Sequence, residues 1–382
     1  MADLTVYRLA FHSGFHLGVR GVNLEESSLH IPADTLFAAL LDAALRAGFD
    51  ADAFVARFQK GDPPFLLTSA FPYAGGVRFF PMPVPLGRWF RPETFHARLK
   101  ALKRIRFVSE ALFQRMLVGE PMDPWLFPMD GKDDPTQGLA LQGGMFWLAA
   151  EEAEKLPCQM RSHPRTGRPV PLRALMEHRV FASAQVPRVT VDRVSSASNI
   201  FHTGRVSFAP DCGLWFGIAW RDPNAPIGAG ELTFREAVHC ALAILSYDGL
   251  GGERTTGYGG FVWAQESVSL SLPDPAPGEL LWLLSRYHPR QEELPGALTS
   301  AGVAYELISV AGWLRSWQGA AQRRRRLWLV REGSLVQAIG NGPWGDLTDV
   351  RPRYQNPDGD LPHPVWRYGF ALGAAVKEVR SV

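Results

Sequence analysis

The sequence predicts an α+β protein with two domains, and three observations lead to this prediction. The chain has 382 residues, a length that suits two domains of ordinary size. Apolar residues make up 46% and charged residues 20%, which is typical of a folded protein with a core. Glycine (37 residues) and proline (30 residues) are abundant, which favours many short strands and loops over a helical bundle. No run of 18 apolar residues occurs, so we expect no membrane span.

The N-terminal half begins with the predicted order strand, helix, strand, strand. Residues 4–11 alternate in part and predict a strand, and residues 32–48 carry the apolar spacing of an amphipathic helix. Residues 65–72 and 77–82 flank a glycine pair and predict a hairpin. Residues 91–119 are basic and helical in character. Residues 120–170 are rich in Pro, Gly and Asp and predict insertion loops.

A second strand–helix–strand group follows the insertion. Residues 213–220 predict an aromatic strand whose alternation favours the core over a stacking surface. Thr233 and Glu236 have capping-box spacing and predict the start of a helix, which a glycine-dense loop and a strand at 261–264 follow. The order β-α-β-β-α-β with a large insertion is the ferredoxin-like, RRM-like plan.

We therefore expect two ferredoxin-like (RRM-like) domains separated by a proline-rich linker at residues 272–278. The first, residues 1–268, would contain large insertions and a C-terminal glycine-rich loop. The second, residues 279–382, would be a smaller and degenerate copy built from several short strands.

Charge is distributed in blocks, although the net charge is only +2. Residues 78–115 and 161–205 are strongly basic, and the stretch between them is acidic. Such blocks favour a polyanionic partner. The cysteines, Cys158, Cys212 and Cys240, are too far apart in sequence to suggest a zinc knuckle or a disulfide framework. We expect no metal, no cofactor and a reducing, cytoplasmic compartment.

The glycine-rich loop at residues 249–260 is the most informative motif. It fits neither the dinucleotide fingerprint nor a P-loop, because Arg254 stands where a third glycine would fall and no Gly-Lys-Ser/Thr follows. Glycines at a helix end allow backbone N–H groups to approach an anion closely, and Arg254, Thr255 and Thr256 add a guanidinium and two hydroxyls. An ordinary turn with glycines at positive φ is the alternative, and spacing alone leaves it open.

Four segments together resemble a known family. Gly249-Leu-Gly251, five residues and Gly257-Tyr-Gly259 resemble the C-terminal glycine-rich loop of the RAMP superfamily of CRISPR RNA-binding proteins. Residues 31–40 resemble the start of the first helix of its Cas5-group subunit four in type III-A complexes. Residues 188–201 resemble that family's Arg-x-x-Ile-Asp-Arg segment, with Val191 in place of the usual isoleucine, and residues 362–371 resemble its closing His-Pro-Val-x-Arg-Tyr-Gly strand.

The resemblance implies a non-catalytic RNA-binding subunit of a type III-A CRISPR (Csm) antiviral effector complex. Family members hold the five-prime repeat-derived tag of the CRISPR RNA (crRNA) and dock the large polymerase-like subunit. They also adjoin the backbone RAMP subunits, and they meet target RNA only indirectly. The glycine-rich loop is expected to contact the tag, and residues 188–201 to form a thumb-like hairpin.

The residue types agree with this role, because arginines suit phosphates, hydroxyls suit sugars and aromatic rings can stack on bases. A hairpin whose arginines merely face solvent is the alternative. The RNA-binding residues expected from the resemblance are Gly249, Gly251, Gly252, Arg254, Thr255, Thr256, Gly257, Tyr258, Gly259, Arg188, Asp192, Arg193, Ser195, Phe201, Asp34, Thr35 and His16.

Two other functions remain open on the sequence. Some RAMP proteins cleave RNA with a histidine in the first domain, so a metal-independent endoribonuclease that processes precursor crRNA, using His12 or His16, is the runner-up. A pure protein scaffold is the third. The basic segments 98–106 and 323–326 could contact RNA or an acidic partner, or could be solvated faces.

Overall fold

The computed structural model describes residues 2–18, 27–128, 137–163, 165–192, 194, 198–230, 232–316, 319–353 and 361–379, with the backbone alone at 315–316 and 319–321. The helices are α1 (Ala33–Arg46), α2 (Ala51–Gln59), α3 (Pro92–Leu102), α4 (Glu110–Leu117), α5 (Cys158–Arg161), α6 (Phe234–Asp248) and α7 (Gly296–Thr299).

The strands alternate with these helices along the chain. They are β1 (Ala2–Phe11), β2 (Phe65–Leu67), β3 (Phe71–Ala74), β4 (Val77–Pro81), β5 (Phe107–Ser109), β6 (Gly138–Leu141), β7 (Phe146–Ala149), β8 (Phe181–Val191), β9 (Ser198–Phe208), β10 (Cys212–Trp220), β11 (Phe261–Gln265), β12 (Leu270–Leu272), β13 (Leu280–Leu283), β14 (Leu307–Val310), β15 (Trp313–Ser316), β16 (Gly319–Arg323), β17 (Leu327–Val330), β18 (Leu335–Gln337), β19 (Leu347–Asp349), β20 (Trp366–Tyr368) and β21 (Gly373–Val376).

A large mixed sheet forms the centre of the N-terminal part, in the order β11-β1-β10-β3-β4-β5-β7-β6. Strand β1 pairs antiparallel with β10 on one side and with β11 on the other. Helices α1 and α6 pack against each other, and Tyr7 of β1 bonds His239 of α6. The fold is thus mixed α+β, as the sequence predicts. The strands next to β1 bring the end of α6 close to the loop after β1.

Helix starts follow the capping chemistry of the sequence. Thr233 accepts a hydrogen bond from the N–H of Glu236, and the Glu236 carboxylate accepts one from the N–H of Thr233, so the predicted capping box is confirmed. Helix α1 begins one residue after Pro32 and ends at Arg46, close to the predicted limits. The Ser69 hydroxyl accepts a hydrogen bond from the Ala33 N–H at this helix start.

Two sequence predictions about the insertion are wrong. Residues 91–119 form α3 and α4 with β5 between them, because the apolar residues of β5 are buried between β4 and β7. Residues 120–170 contain more than loops, since β6 and β7 form a buried antiparallel pair that extends the sheet. Proline and glycine next to these short strands hide them in a composition-based reading.

The hairpin that the family resemblance implies and the predicted aromatic strand are both present. Strands β8 and β9 pair over their full lengths, from Phe181 opposite Phe208 to Val191 opposite Ser198, and most of their side chains are exposed. This hairpin therefore extends away from the core. Trp215 and Phe216 of β10 are fully buried, so the aromatic strand belongs to the core.

The core continues from the N-terminal part into the C-terminal part. Trp282 of β13 packs against Trp89 and Phe113, with ring centroids 5.6 and 4.9 Å apart. In the C-terminal part, β18, β13 and β21 form a small antiparallel sheet, and β14–β17, β15–β16 and β19–β20 form two-stranded pairs. The division into domains at residues 1–268 and 279–382 stays a prediction, because apolar side chains pack across it.

Candidate nucleic-acid interface

The glycine-rich loop is closed by backbone packing that leaves no room for side chains. The Leu250 N–H donates to the Gly259 carbonyl across the loop, at 2.9 Å. A Cβ on Gly259 would lie 2.1 Å from the Leu250 carbonyl oxygen, and a Cβ on Gly249 would lie 2.5 Å from that of Tyr258. Both glycines have a φ of +83°, in the left-handed region that favours glycine. The two Gly-x-Gly pairs therefore allow the backbone at residues 249–250 to contact the backbone at residues 258–259.

The same loop rests on the segment that follows β1. The Gly252 N–H donates to the His16 carbonyl, and the Gly259 N–H donates to the Gly14 carbonyl, both at 2.8 Å. A Cβ on Gly251 would lie 2.2 Å from the His16 carbonyl oxygen. The loop is thus held in one position against the end of β1 by contacts with both of its arms.

His16 is buried beneath this loop and fixes the base of the hairpin. Its Nδ1 lies 2.7 Å from the carbonyl oxygen of Gly204 on β9, so Nδ1 carries the proton and donates. A Cβ on Gly252 would lie 2.9 Å from the His16 ring. The structure therefore gives His16 a positioning role between the loop and the hairpin.

The loop and the hairpin meet at Tyr258. Its ring is largely buried, and the guanidinium carbons of Arg188 and Arg205 lie 5.4 and 5.8 Å from the ring centroid. The Arg188 Nη2 also donates to the Thr256 hydroxyl at 3.3 Å. Two arginines from opposite strands of the hairpin are thereby held on one ring of the loop, each within cation–π distance. We call Arg188, Arg205, Thr256 and Tyr258 the loop–hairpin junction.

The junction carries positive charge without compensating carboxylates. Within the described ranges, no acidic side chain forms an ion pair with Arg188, Arg205 or Arg254. The Nε of Arg188 is buried and has no hydrogen-bond partner among the described residues. Because no described carboxylate pairs with these arginines, their guanidinium groups can pair with an anionic ligand.

Several expected residues surround the junction at greater exposure. Arg254 and Thr255 are exposed on a short 3₁₀ turn, Arg254–Thr256, which Gly257 ends at a φ of +83°. Phe201 is half-buried and lies directly opposite Arg188 in the hairpin. Asp192 is exposed near the hairpin turn and accepts a hydrogen bond from the Val194 N–H. The predicted residues Arg193 and Ser195 lie outside the described residues.

Asp34 does not belong with the junction, which corrects its place among the RNA-binding candidates. Its side chain is fully buried, and its carboxylate accepts hydrogen bonds from Arg367 at 3.0 Å and from Arg286 at 3.1 Å. An aspartate engaged in this way has no surface left for RNA. Thr35 lies next to it on the first turn of α1, half-buried, with its N–H bonded to the Pro32 carbonyl.

Among the described residues, neither ribonuclease candidate forms a hydrogen bond with another titratable side chain. His12 is exposed, and its ring lies next to Gly260, whose added Cβ would be 2.8 Å from His12 Nε2. Elsewhere in the part of the chain that the structure describes, no three His, Cys, Asp or Glu side chains form a group that could hold a metal ion. Among the same residues, no helix has the length and apolar character needed to cross a bilayer.

Sequence reasoning missed the residues after β1 that anchor the loop. The Gly260 N–H donates to the Ser13 hydroxyl at 3.1 Å, and a Cβ on Gly14 would lie 2.5 Å from Nε of Arg205. The pairing of β1 with β11 brings Ser13 and Gly14 to this place. Their position just after the first predicted strand was the available signal, because the loop stands just before the strand that pairs with it.

Comparison with known proteins agrees with these features. Residues 276–376 match the family model of the CRISPR Csm4 C-terminal domain. Over 369 residues the chain is 25% identical to the CRISPR system Cms protein Csm4 of Mycobacterium tuberculosis (strain ATCC 25618 / H37Rv), covering 95% of both chains. Over 350 residues it is 23% identical to the protein of the same name from Thermococcus onnurineus (strain NA1), covering 91% of this chain and 92% of the relative. The chain is therefore similar to Csm4 proteins over nearly its whole length.

Solved structures show the same fold. A chain of the Csm3–Csm4 subcomplex in the type III-A CRISPR-Cas interference complex superposes with a TM-score of 0.59 at 16% identity, covering 97% of this chain and 98% of that chain. A chain of the Csm1–Csm4 cassette in complex with cA4 superposes with a TM-score of 0.53 at 17% identity, covering 99% and 100%. The segment that matches the Csm4 C-terminal domain, residues 276–376, includes Arg286 and Arg367, the partners of Asp34.

Proposed function

We propose that this chain is the RNA-binding subunit of a type III-A CRISPR (Csm) effector complex and that it holds the five-prime tag of the crRNA at the loop–hairpin junction. The observation that carries the proposal is the meeting of Arg188 and Arg205 with Tyr258 and Thr256. Guanidinium groups that pair with no described carboxylate, a hydroxyl and an aromatic ring are the groups that bind single-stranded RNA through phosphate, sugar and base.

The assembly partners in this proposal come from the relatives. Solved relatives include a Csm3–Csm4 subcomplex and a Csm1–Csm4 cassette, and their folds match over nearly the whole chain. We propose that this chain likewise docks the large polymerase-like subunit and adjoins the backbone RAMP subunits in the cytoplasm. Target RNA would then meet it only through the crRNA.

The ferredoxin-like assignment of the first domain is part of the proposal. Strands β1, β3, β10 and β11 lie in the order β11-β1-β10-β3, with α1 after β1 and α6 between β10 and β11. With the hairpin and the other insertion strands set aside, this is the β-α-β-β-α-β order of the ferredoxin-like plan. A second, degenerate copy at residues 279–382 remains the sequence expectation.

The proposed subunit is non-catalytic. A general base must reach the proton that it abstracts, whereas His16 is buried and its Nδ1 is engaged by Gly204. His12 is exposed, and it provides the sharper test. Purified protein incubated with precursor crRNA in EDTA should leave the RNA intact, and cleavage that is lost in His12→Ala would establish the ribonuclease instead.

The binding test uses the purified chain and a labelled RNA that begins with the repeat-derived tag. Arg188→Ala and Arg254→Ala should each weaken binding, and each should reduce the slope of log affinity against log salt by about 0.7 if one phosphate contact is lost. Arg46→Ala is the matched control, because Arg46 already pairs with Asp42 and Asp248 on α1 and α6. Affinity and salt slope that stay unchanged in both junction variants would overturn the proposal.

A further inference from the structure

The C-terminal part carries a second surface on which large aromatic side chains are exposed. Strand β14 pairs with β17 and the next strand, β15, pairs with β16, so residues 307–316 and 319–330 make a two-part hairpin. Trp313 is 52% exposed and Trp328 is 55% exposed. Indole rings bury a large apolar area when they can, so two of them open to solvent on one hairpin call for a partner.

Strand register places these rings on outward faces. Trp328 lies opposite Ser309, and Leu307, two residues before Ser309, therefore shares its face and is 49% exposed. The neighbouring Leu329 points the other way and is fully buried. Trp313 lies opposite Arg323 in the second part of the hairpin. Trp328 and Trp313 thus belong to different strand pairs of the hairpin, β14–β17 and β15–β16, so the two indoles are separate stacking positions.

The same hairpin carries a concentrated positive charge. Residues 323–326 are four consecutive arginines. The Arg323 guanidinium lies 5.1 Å from the centroid of the Trp313 ring, and Arg325 donates to the Asp349 carbonyl oxygen at 2.7 Å. Among the residues described, neither Arg323 nor Arg326 forms an ion pair with a carboxylate.

Glu306 and Asp349, two carboxylates next to this hairpin among the described residues, are already engaged. Glu306 pairs with Arg331, and the Asp349 carboxylate pairs with Arg351 at 2.7 Å and accepts hydrogen bonds from the backbone. Their charge is balanced by other arginines. The charge of Arg323 and Arg326 therefore remains available for a polyanion next to the exposed rings.

We propose that this face, formed by Trp313, Trp328, Arg323 and Arg326, is a second binding surface for single-stranded RNA. Bases stack on the open sides of the two indoles, and the arginines contact the phosphates that join them. Exposed aromatic rings beside arginines that pair with no described carboxylate suit a flexible polyanion with planar groups better than an apolar protein surface. The choice of RNA over DNA rests on the proposed function, and the surface itself is independent of the tag site.

The test measures binding of a fluorescein-labelled oligouridine without a tag sequence to the full chain, by fluorescence anisotropy. All variants carry Arg188→Ala, so that the junction contributes little. We expect Trp313→Ala with Trp328→Ala to weaken binding about tenfold or more. Arg323→Gln with Arg326→Gln should weaken it as well and should also reduce the salt slope.

Matched controls remove similar groups elsewhere. Tyr247→Ala removes an aromatic ring that is 91% exposed on α6, and Arg46→Gln with Arg221→Gln removes two exposed arginines that already pair with carboxylates. Controls that match the parent, with both hairpin variants weakened, support the proposal. The proposal is overturned if the two tryptophan substitutions and the two arginine substitutions leave oligouridine binding like that of the parent. It is also overturned if these variants lose a co-purifying protein partner while their RNA affinity stays unchanged.

The outcome is separable from that of the proposed function. Tag binding is measured on the chain with Trp313, Trp328, Arg323 and Arg326 unchanged, where only the loop–hairpin junction is varied. Loss of tag binding in Arg188→Ala together with normal oligouridine binding in the hairpin variants rejects the second surface alone. The reverse result rejects the tag site alone.

Discussion

Asp34 and Arg367 form a buried ion pair, 3.0 Å between Oδ2 and Nη1, although 333 positions separate them in the sequence. Arg286 completes the arrangement by donating to the other carboxylate oxygen of Asp34 at 3.1 Å. Next to the pair, Tyr368 stacks on Phe37 with centroids 5.0 Å apart. The segments 31–40 and 362–371, which resemble the same family, therefore pack against each other. This packing joins the first helix to the C-terminal part.

Replacing Asp34 should destabilise the protein strongly. Asp34→Ala leaves the buried Arg367 without its carboxylate, whereas Arg286 keeps its contact with Glu332, and breaking a buried pair in this way costs about 3–5 kcal/mol. Thermal unfolding followed by circular dichroism should show a large fall in Tm. Asp42→Ala is the control, because Asp42 is exposed and its pair with Arg46 is worth about 1 kcal/mol or less. Equal Tm values for the two variants would contradict this role.

Glu332 should make the protein sensitive to acid. Burial alone would raise the pKa of Glu332, but Arg286, His30 and Ser69 outweigh it and hold the pKa well below the ordinary 4.5. A carboxyl with a lowered pKa stabilises the fold above pH 4.5, and this contribution is lost as the pH falls below that value. Tm of the wild type should therefore fall more steeply from about pH 5 to pH 3 than Tm of Glu332→Gln.

The control for this pH dependence is Glu292→Gln, because Glu292 is mostly exposed and pairs with Arg290 at the surface. Its Tm profile should follow that of the wild type. If Glu332→Gln also followed the wild-type profile, the buried carboxylate would not be the source of the acid sensitivity.

Two glycines of the loop have the same backbone conformation but differ in the space available for a side chain, so substituting them distinguishes the two effects. Gly257 and Gly259 share a φ of +83°, but a Cβ on Gly257 meets nothing within 4 Å, whereas one on Gly259 lies 2.1 Å from the Leu250 oxygen. Gly257→Ala should cost about 1–2 kcal/mol from the left-handed conformation alone. Gly259→Ala should lower Tm further and weaken tag binding more. Equal effects of the two substitutions would show that the close approach is not required.

Tyr258 should matter for binding through its ring rather than its hydroxyl. Tyr258→Phe keeps the surface that holds Arg188 and Arg205, so tag affinity should stay near the wild-type value. Tyr258→Ala releases both guanidinium groups, and the loss of two cation–π contacts should weaken binding about fivefold to tenfold. Filter binding at fixed salt measures this, with Tyr247→Ala as the exposed-ring control. The hypothesis fails if the Ala and Phe variants bind alike while both remain folded.

Local signals in the sequence were enough for several elements and for part of the site. The capping box at Thr233 and Glu236 and the apolar spacing of α1 act over a few residues, so they can be read without the fold. The Gly-x-Gly pairs were found for the same reason. Strand β5 was missed inside a predicted helix, because three apolar residues gain their strand partners, β4 and β7, only from distant parts of the chain.

The sequence by itself determined the mixed α+β class and the glycine-rich loop, since composition, spacing and turn residues act locally, whereas the basic hairpin was expected from the resemblance to a known family. Tertiary structure alone decided which of these belong together. It brought Arg188 and Arg205 onto Tyr258, and it turned Asp34 from an RNA-binding candidate into the buried partner of Arg286 and Arg367. The physical reason is that burial and charge pairing depend on contacts between residues far apart in the chain, which local patterns do not encode.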